Sequence, residues 1–139
     1  MQELFKSRGS ALLLMAMAVL VAPLVEETVF RGYLYPLFAT KFSGLAKRFG
    51  VDPTQAVRFG MNAAILLTGL LFGLLHGAQL GWTWGLVSLL IIVGVIFTFV
   101  RAYTGTVFAS FLLHLGYNSM IAVSSIIATR GFTHMSPVK

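Results

Sequence analysis

The residues able to do chemistry in this chain are few, and they lie inside long apolar runs. These ionisable or strongly polar side chains are Glu26, Glu27, Arg31, Asn62, His76, Gln79, His114 and Asn118. A carboxylate at membrane depth costs about 3 kcal/mol or more. Two adjacent glutamates in such a setting therefore need a buried partner or a chemical role.

Spacing separates the roles of the two glutamates. Glu27 and Arg31 stand at i and i+4 with the acid first, which is the favourable order for an ion pair on a helix. Glu26 is rotated from Glu27 by about 100° and faces elsewhere. We therefore expect Glu27 to be neutralised by Arg31 and Glu26 to be available for chemistry.

Two imidazoles and an amide complete a set suited to hydrolysis. Glu26 is the candidate general base that activates water, and His76 is placed to hold or share that water. His114 and Asn118, at i and i+4, project toward one point and are candidate donors to an oxyanion. A single histidine or asparagine in a span is more often an interhelical hydrogen-bond partner. The conjunction of the four residues favours hydrolysis.

The elements that must position these residues are apolar runs separated by charges. The chain is 58% hydrophobic and only 10% charged. Each run is near the ~20 residues that a bilayer requires. The runs extend from about Ser10 to Phe38, Phe59 to Leu80, Thr83 to Val100 and Thr106 to Thr129. The sequence predicts an all-α integral membrane bundle of four transmembrane helices, forming a single membrane-embedded domain over residues 1–139.

Local signals predict how the first two helices are shaped. Pro23 should kink the first helix just before the glutamates. The basic segment Lys41–Arg58 has apolar residues at helical spacing, which is typical of a short interfacial helix. Asp52 and Pro53 are an N-cap and a first helical residue, so the second helix should begin there.

Glycines recur at every fourth position around the second run. They are Gly69, Gly73, Gly77, Gly81 and Gly85. Within a span, this pattern forms a ridge of small residues that lets a neighbouring helix approach closely.

Composition excludes several classes of function. The net charge of +6 comes from basic residues that cluster between the apolar runs. Lipid headgroups attract such residues, so the expected partner is the lipid bilayer and not a nucleic acid. The chain has no cysteine, which excludes disulfides, thiolate metal sites and a cysteine nucleophile.

Three motifs, taken together, resemble a known family. Residues 26–31 read EExxxR, residues 72–76 read FxxxH and residues 114–118 read HxxxN. In this order they resemble the CPBP intramembrane proteases, which include type II CAAX prenyl endopeptidases, lysostaphin resistance protein A and bacteriocin self-immunity proteins. The resemblance runs from about residue 15 to residue 122.

The resemblance implies proteolysis at or within the membrane. The implied catalytic residues are Glu26, His76, His114 and Asn118, supported by Glu27 and Arg31. The substrate would be a membrane-associated peptide, prenylated in part of the family. The expected location is the cell membrane of a prokaryote, as a multi-pass protein. On this resemblance, the chain would correspond to the four-helix catalytic core, as a short or a truncated member.

Members of this family have been described both as metalloproteases and as glutamate-dependent proteases. Glu26, His76 and His114 would supply three ligands to Zn²⁺ and leave a fourth position for water. The metal-free mechanism is favoured here, with no cofactor.

Two other functions remain open at this stage. Intramembrane glutamate and histidine also mark proton or ion pathways. A catalytically idle membrane protein of the bacteriocin-immunity type would keep the same residues without the reaction.

Overall fold

The computed structural model describes residues 8–132, and this part of the chain is helical without strands. The elements are α1 (Arg8–Glu27), a π-helix (Thr28–Leu34), α2 (Tyr35–Arg48), α3 (Pro53–Leu75), α4 (Trp84–Thr104) and α5 (Val107–Ala128). The helical stretch 9–48, α3, α4 and α5 are each long and apolar enough to cross a membrane. The predicted all-α architecture with four membrane-spanning helices is confirmed.

The chain divides into two compact units. Within the described residues, one unit joins 8–25 with 111–132, and the other is Glu26–Ser110. We call them the terminal unit and the central unit. The prediction of one domain over the whole chain stays a prediction.

The central unit depends on a close approach of α3 to α4. A Cβ atom added at Gly69 would lie 2.6 Å from the backbone nitrogen of Val95, and one added at Gly73 would lie 2.6 Å from that of Ile91. Real side chains do not tolerate such distances, so glycine is required at both positions. The glycine ridge is confirmed here, but it does not extend to Gly85, which has nothing within 4 Å.

The hairpin of α2 and α3 confirms one boundary and corrects another. The Asp52 carboxylate accepts hydrogen bonds from the backbone of Thr54 and Gln55 at 2.9 and 3.2 Å, which caps α3 as predicted. The basic segment before it is not a separate short helix. It forms the last turns of α2, and the connecting loop is only residues 49–52. The charges expected to interrupt the helix lie instead on its exposed side.

The remaining boundaries follow backbone conformation. α3 ends at Leu75 and not at Leu80, because residues 76–83 form turns that include left-handed φ angles of 56° at Gly81 and 54° at Trp82. Gly105, with φ 73°, closes α4 before α5 begins. Pro23 lies inside α1, and the departure from α-helical geometry comes only after Glu27.

Candidate active site

The π-helix sets the position of the charged residues. Helices of this kind are rare and occur often at functional sites. Here seven residues adopt it, directly after Glu27, and both Phe30 and Arg31 within it are buried. The side chains of Glu27 and Arg31 are only 1% and 0% exposed. Two charges are thus placed in the interior of the central unit, where each needs hydrogen-bonding partners.

Arg31 finds those partners on two helices. Its Nη1 donates to Oε1 of Glu27 at 2.8 Å, which confirms the ion pair predicted from spacing. Its Nη2 donates to the Gly94 carbonyl at 2.9 Å, and its Nε donates to the Thr98 hydroxyl at 3.2 Å. Arg31 therefore joins the π-helix to α4.

Aromatic rings enclose the same guanidinium group. Its carbon lies 4.6 Å from the ring centre of Phe72, 5.3 Å from that of Phe97 and 5.6 Å from that of Phe30. These are cation–π distances. Phe72 is 2% exposed, so its ring packs around the charge. The rings exclude water from the ion pair.

The imidazole of His76 is fixed by the end of α3. The backbone N–H of His76 bonds to the Gly73 carbonyl, which leaves the Phe72 carbonyl for a side chain. His76 Nδ1 lies 2.7 Å from that oxygen. A carbonyl only accepts hydrogen bonds, so Nδ1 carries the proton. The other ring nitrogen, Nε2, is then the one available for chemistry.

Glu26 lies opposite that second nitrogen. Oε1 of Glu26 is 3.7 Å from Nε2 of His76, and the two side chains are 25% and 19% exposed. The distance is too long for a direct hydrogen bond but suits an ion pair or one bridging water. Interaction with Glu26 raises the pKa of His76, burial lowers it, and the Phe72 carbonyl raises it, with a net upward shift.

The other two residues of the predicted site lie on α5, in the terminal unit. His114 is buried, with 3% of its surface exposed. Asn118 donates from Nδ2 to the Ala18 carbonyl of α1 at 2.9 Å. This is the interhelical contact that the packing interpretation predicts. A catalytic role for either residue stays a prediction.

Sequence reasoning missed the residues of α4 that hold Arg31. Thr98 accepts from Arg31 and donates to the Gly94 carbonyl at 2.7 Å. Neither residue belongs to a charged or periodic motif. The available signal was a hydroxyl four residues after a glycine in a mostly apolar span.

The residues were also tested as metal ligands. Within the described part of the central unit, Glu26 and His76 form a pair, and no third histidine, cysteine, aspartate or glutamate joins them in a metal-binding group. A zinc site needs at least three protein ligands. This pair does not fit one.

Comparison with known proteins gave one match. A family model described as type II CAAX prenyl endopeptidase Rce1-like matches residues 8–120. Comparison with curated proteins and with solved structures gave none. The matched region contains all three motifs and both glutamates.

Proposed function

Because the chain belongs to the Rce1-like family of type II CAAX prenyl endopeptidases, we propose that it is an intramembrane endopeptidase, which hydrolyses peptide bonds at or within the membrane. It is a multi-pass membrane protein, and residues 8–132 contain four helices long and apolar enough to span a membrane. The observation that carries the proposal is the separation of 3.7 Å between Glu26 Oε1 and His76 Nε2.

The pair is suited to orient a water molecule. With its proton on Nδ1, a neutral His76 presents a lone pair at Nε2, and the Glu26 carboxylate presents another acceptor beside it. A water between them donates one hydrogen to each. Its oxygen lone pairs then point away from both bases, toward a bound peptide.

The reaction follows from these positions. Glu26 takes a proton from water while the water oxygen forms a bond to the peptide carbonyl carbon, and the carbonyl electron pair moves to oxygen. When the tetrahedral intermediate collapses, the C–N bond breaks. The proton held by Glu26 passes to the leaving nitrogen, so the products are a carboxylic acid and an amine.

We assign stabilisation of the oxyanion to His114 and Asn118. In other hydrolases, each preorganised hydrogen-bond donor to the oxyanion is worth about 3 kcal/mol. The Asn118 amide has two N–H groups, and only one is needed for its bond to Ala18. The second is the proposed donor to the oxyanion.

The mechanism is proposed to be metal-free. The pair formed by Glu26 and His76 lacks a third ligand within the central unit, so no step is routed through a metal. Glu27 and Arg31 are proposed to support the site by holding the π-helix, which directly follows the glutamates, against α4.

The test is cleavage by the purified protein in liposomes. The substrates are a farnesylated CAAX peptide and the same peptide without the lipid. Glu26→Gln should lower the rate by at least about 100-fold, since the amide keeps the shape but is not a base. Glu26→Asp, which keeps a carboxylate, should retain measurable cleavage.

Thermal unfolding of each variant provides the control for folding. An unchanged rate in a folded Glu26→Gln variant would remove the assignment. Faster cleavage of the farnesylated peptide would support a prenylated substrate. Equal cleavage rates for the two peptides would indicate that the substrates are membrane peptides in general. Loss of activity with a zinc chelator, restored by zinc, would overturn the metal-free mechanism.

A further inference from the structure

One face of α4 carries two contacts with the helix formed by the π segment and α2. Gly94, Thr98 and Arg101 stand at i, i+4 and i+7, so they share this face. Arg31 and Tyr35 stand at i and i+4 on the opposite helix. Arg31 contacts Gly94 and Thr98, and Tyr35 contacts Arg101. Each contact thus contains a guanidinium group.

The two guanidinium groups differ in their counter-charge. Arg31 has the Glu27 carboxylate, whereas the described residues give the Arg101 side chain only a ring contact, 5.8 Å from the centre of Tyr35. Nε of Arg101 is buried and has no hydrogen-bond partner among the residues that the structure describes. An unsatisfied charged donor costs more than a neutral one. Because Nε is enclosed by the protein, an acceptor from outside this part of the chain can contact the guanidinium group only at its Nη atoms.

No carboxylate in the described range serves this purpose. The acidic residues between positions 8 and 132 are Glu26, Glu27 and Asp52. Glu26 faces His76, Glu27 pairs with Arg31, and Asp52 caps α3. Among the described residues, no carboxylate is therefore left as a counter-ion for Arg101.

The location of Arg101 favours the headgroup layer. It lies three residues before the end of α4 at Thr104, which is about 4.5 Å along the helix axis. Ala102 packs against the cluster that contains Tyr35, and Gly60 of α3 lies close against Ser43 of α2. Two other cations therefore lie toward the same end of the unit as Arg101. These are Lys41 and Arg58, both exposed.

We propose that Arg101 binds a phosphate oxyanion, and that its source is the headgroup of an anionic phospholipid. The planar guanidinium fork matches phosphate geometry and binds it with two parallel hydrogen bonds. The diffuse positive charge of Lys41 and Arg58 attracts anionic lipid to this end of the unit, and Arg101 provides the specific contact.

The test is native mass spectrometry of the purified protein in detergent. The probes are dioctanoyl-phosphatidylglycerol and, as the neutral counterpart, dioctanoyl-phosphatidylcholine. We expect saturable binding of the anionic lipid only. Arg101→Lys keeps the charge but loses the fork and Nε, and it should weaken binding by at least about fivefold. Arg101→Gln should weaken it by at least about tenfold.

Arg58 provides the matched control, because it is an exposed arginine toward the same end. Arg58→Lys should leave binding unchanged. Equal loss in Arg58→Lys and Arg101→Lys, or no loss in either, would overturn the proposal in favour of diffuse attraction. Inorganic phosphate is titrated separately. Saturable binding of phosphate that depends on Arg101, without binding of the lipid, would keep the oxyanion site but overturn the lipid as its source.

Discussion

The Nδ1 atom of His76 lies 2.7 Å from the carbonyl oxygen of Phe72, so one hydrogen bond both ends α3 and orients the imidazole toward Glu26. Phe72 also packs its ring against the buried Arg31. His76 therefore both satisfies the Phe72 carbonyl at the end of α3 and faces the Glu26 carboxylate.

This dual role of His76 can be separated by substitution. His76→Asn places an amide donor close to the position of Nδ1 but removes Nε2. We expect its free energy of unfolding to stay within about 0.5 kcal/mol of the wild type, while the cleavage rate falls at least about 100-fold. His76→Ala should lose the same activity and a further ~1 kcal/mol of stability. Thermal unfolding and cleavage assays on the same samples distinguish the two effects.

The raised pKa of His76 predicts opposite pH dependences for stability and activity. The folded-state pKa lies above the ordinary value of 6.5, so the stabilising contribution is fully present below about 6.5. It is lost as pH rises through the folded-state pKa. The proposed water, however, requires the neutral imidazole. We expect kcat/KM to rise over the same range in which the melting temperature falls.

A pH series of unfolding and cleavage measurements checks this relationship. In His76→Asn, the melting temperature should not fall over this pH range. The contribution of His76 to the pH dependence of cleavage should also be missing. Activity that falls as His76 loses its proton would contradict the proposed state of the site.

Thr98 should stabilise the protein by holding Arg31. Thr98→Val removes the acceptor of Arg31 Nε, and the cost should be about 1–3 kcal/mol in free energy of unfolding because the donor stays buried. Thr104 is the control, since its hydroxyl also donates to the carbonyl four residues earlier, at 2.8 Å, and its other hydrogen bonds, at 3.4 Å, are with the backbone of Thr106. Thr104→Val should change stability by less than about 0.5 kcal/mol. Equal effects at both positions would show that Arg31 does not depend on Thr98.

The contact between α3 and α4 should be sensitive to a single methyl group. Gly73→Ala forces a Cβ against the Ile91 backbone and should destabilise the protein by about 1–3 kcal/mol. Gly85→Ala, on α4 with open space around it, should be neutral or stabilise by up to about 1 kcal/mol through helix propensity. Chemical denaturation in detergent measures both. A tolerated Gly73→Ala would mean that the two helices separate freely.

Sequence reasoning succeeded where the geometry is local. The pair of Glu27 and Arg31 follows from one helical turn, and the cap at Asp52 from three consecutive residues. The contact of Arg31 with Thr98 depends on the register between two helices that are far apart in the chain, which no local pattern encodes. The boundary of α2 was wrong for another reason. Charges were interpreted as the end of a helix when they mark only its exposed side.

The π-helix also escaped prediction, because its residues suit an α-helix equally well. Its seven residues, Thr28–Leu34, follow the glutamates directly. A wider helical turn accommodates an additional residue, so deleting one residue here would restore ordinary α-helical winding. Such a deletion would leave Glu26 facing nearly the same direction relative to α2, whereas winding the present residues as an α-helix would rotate it by at least one residue step, about 100°. The direction of the Glu26 carboxylate therefore depends on the wider turn, and without that turn the same residues would direct it away from His76.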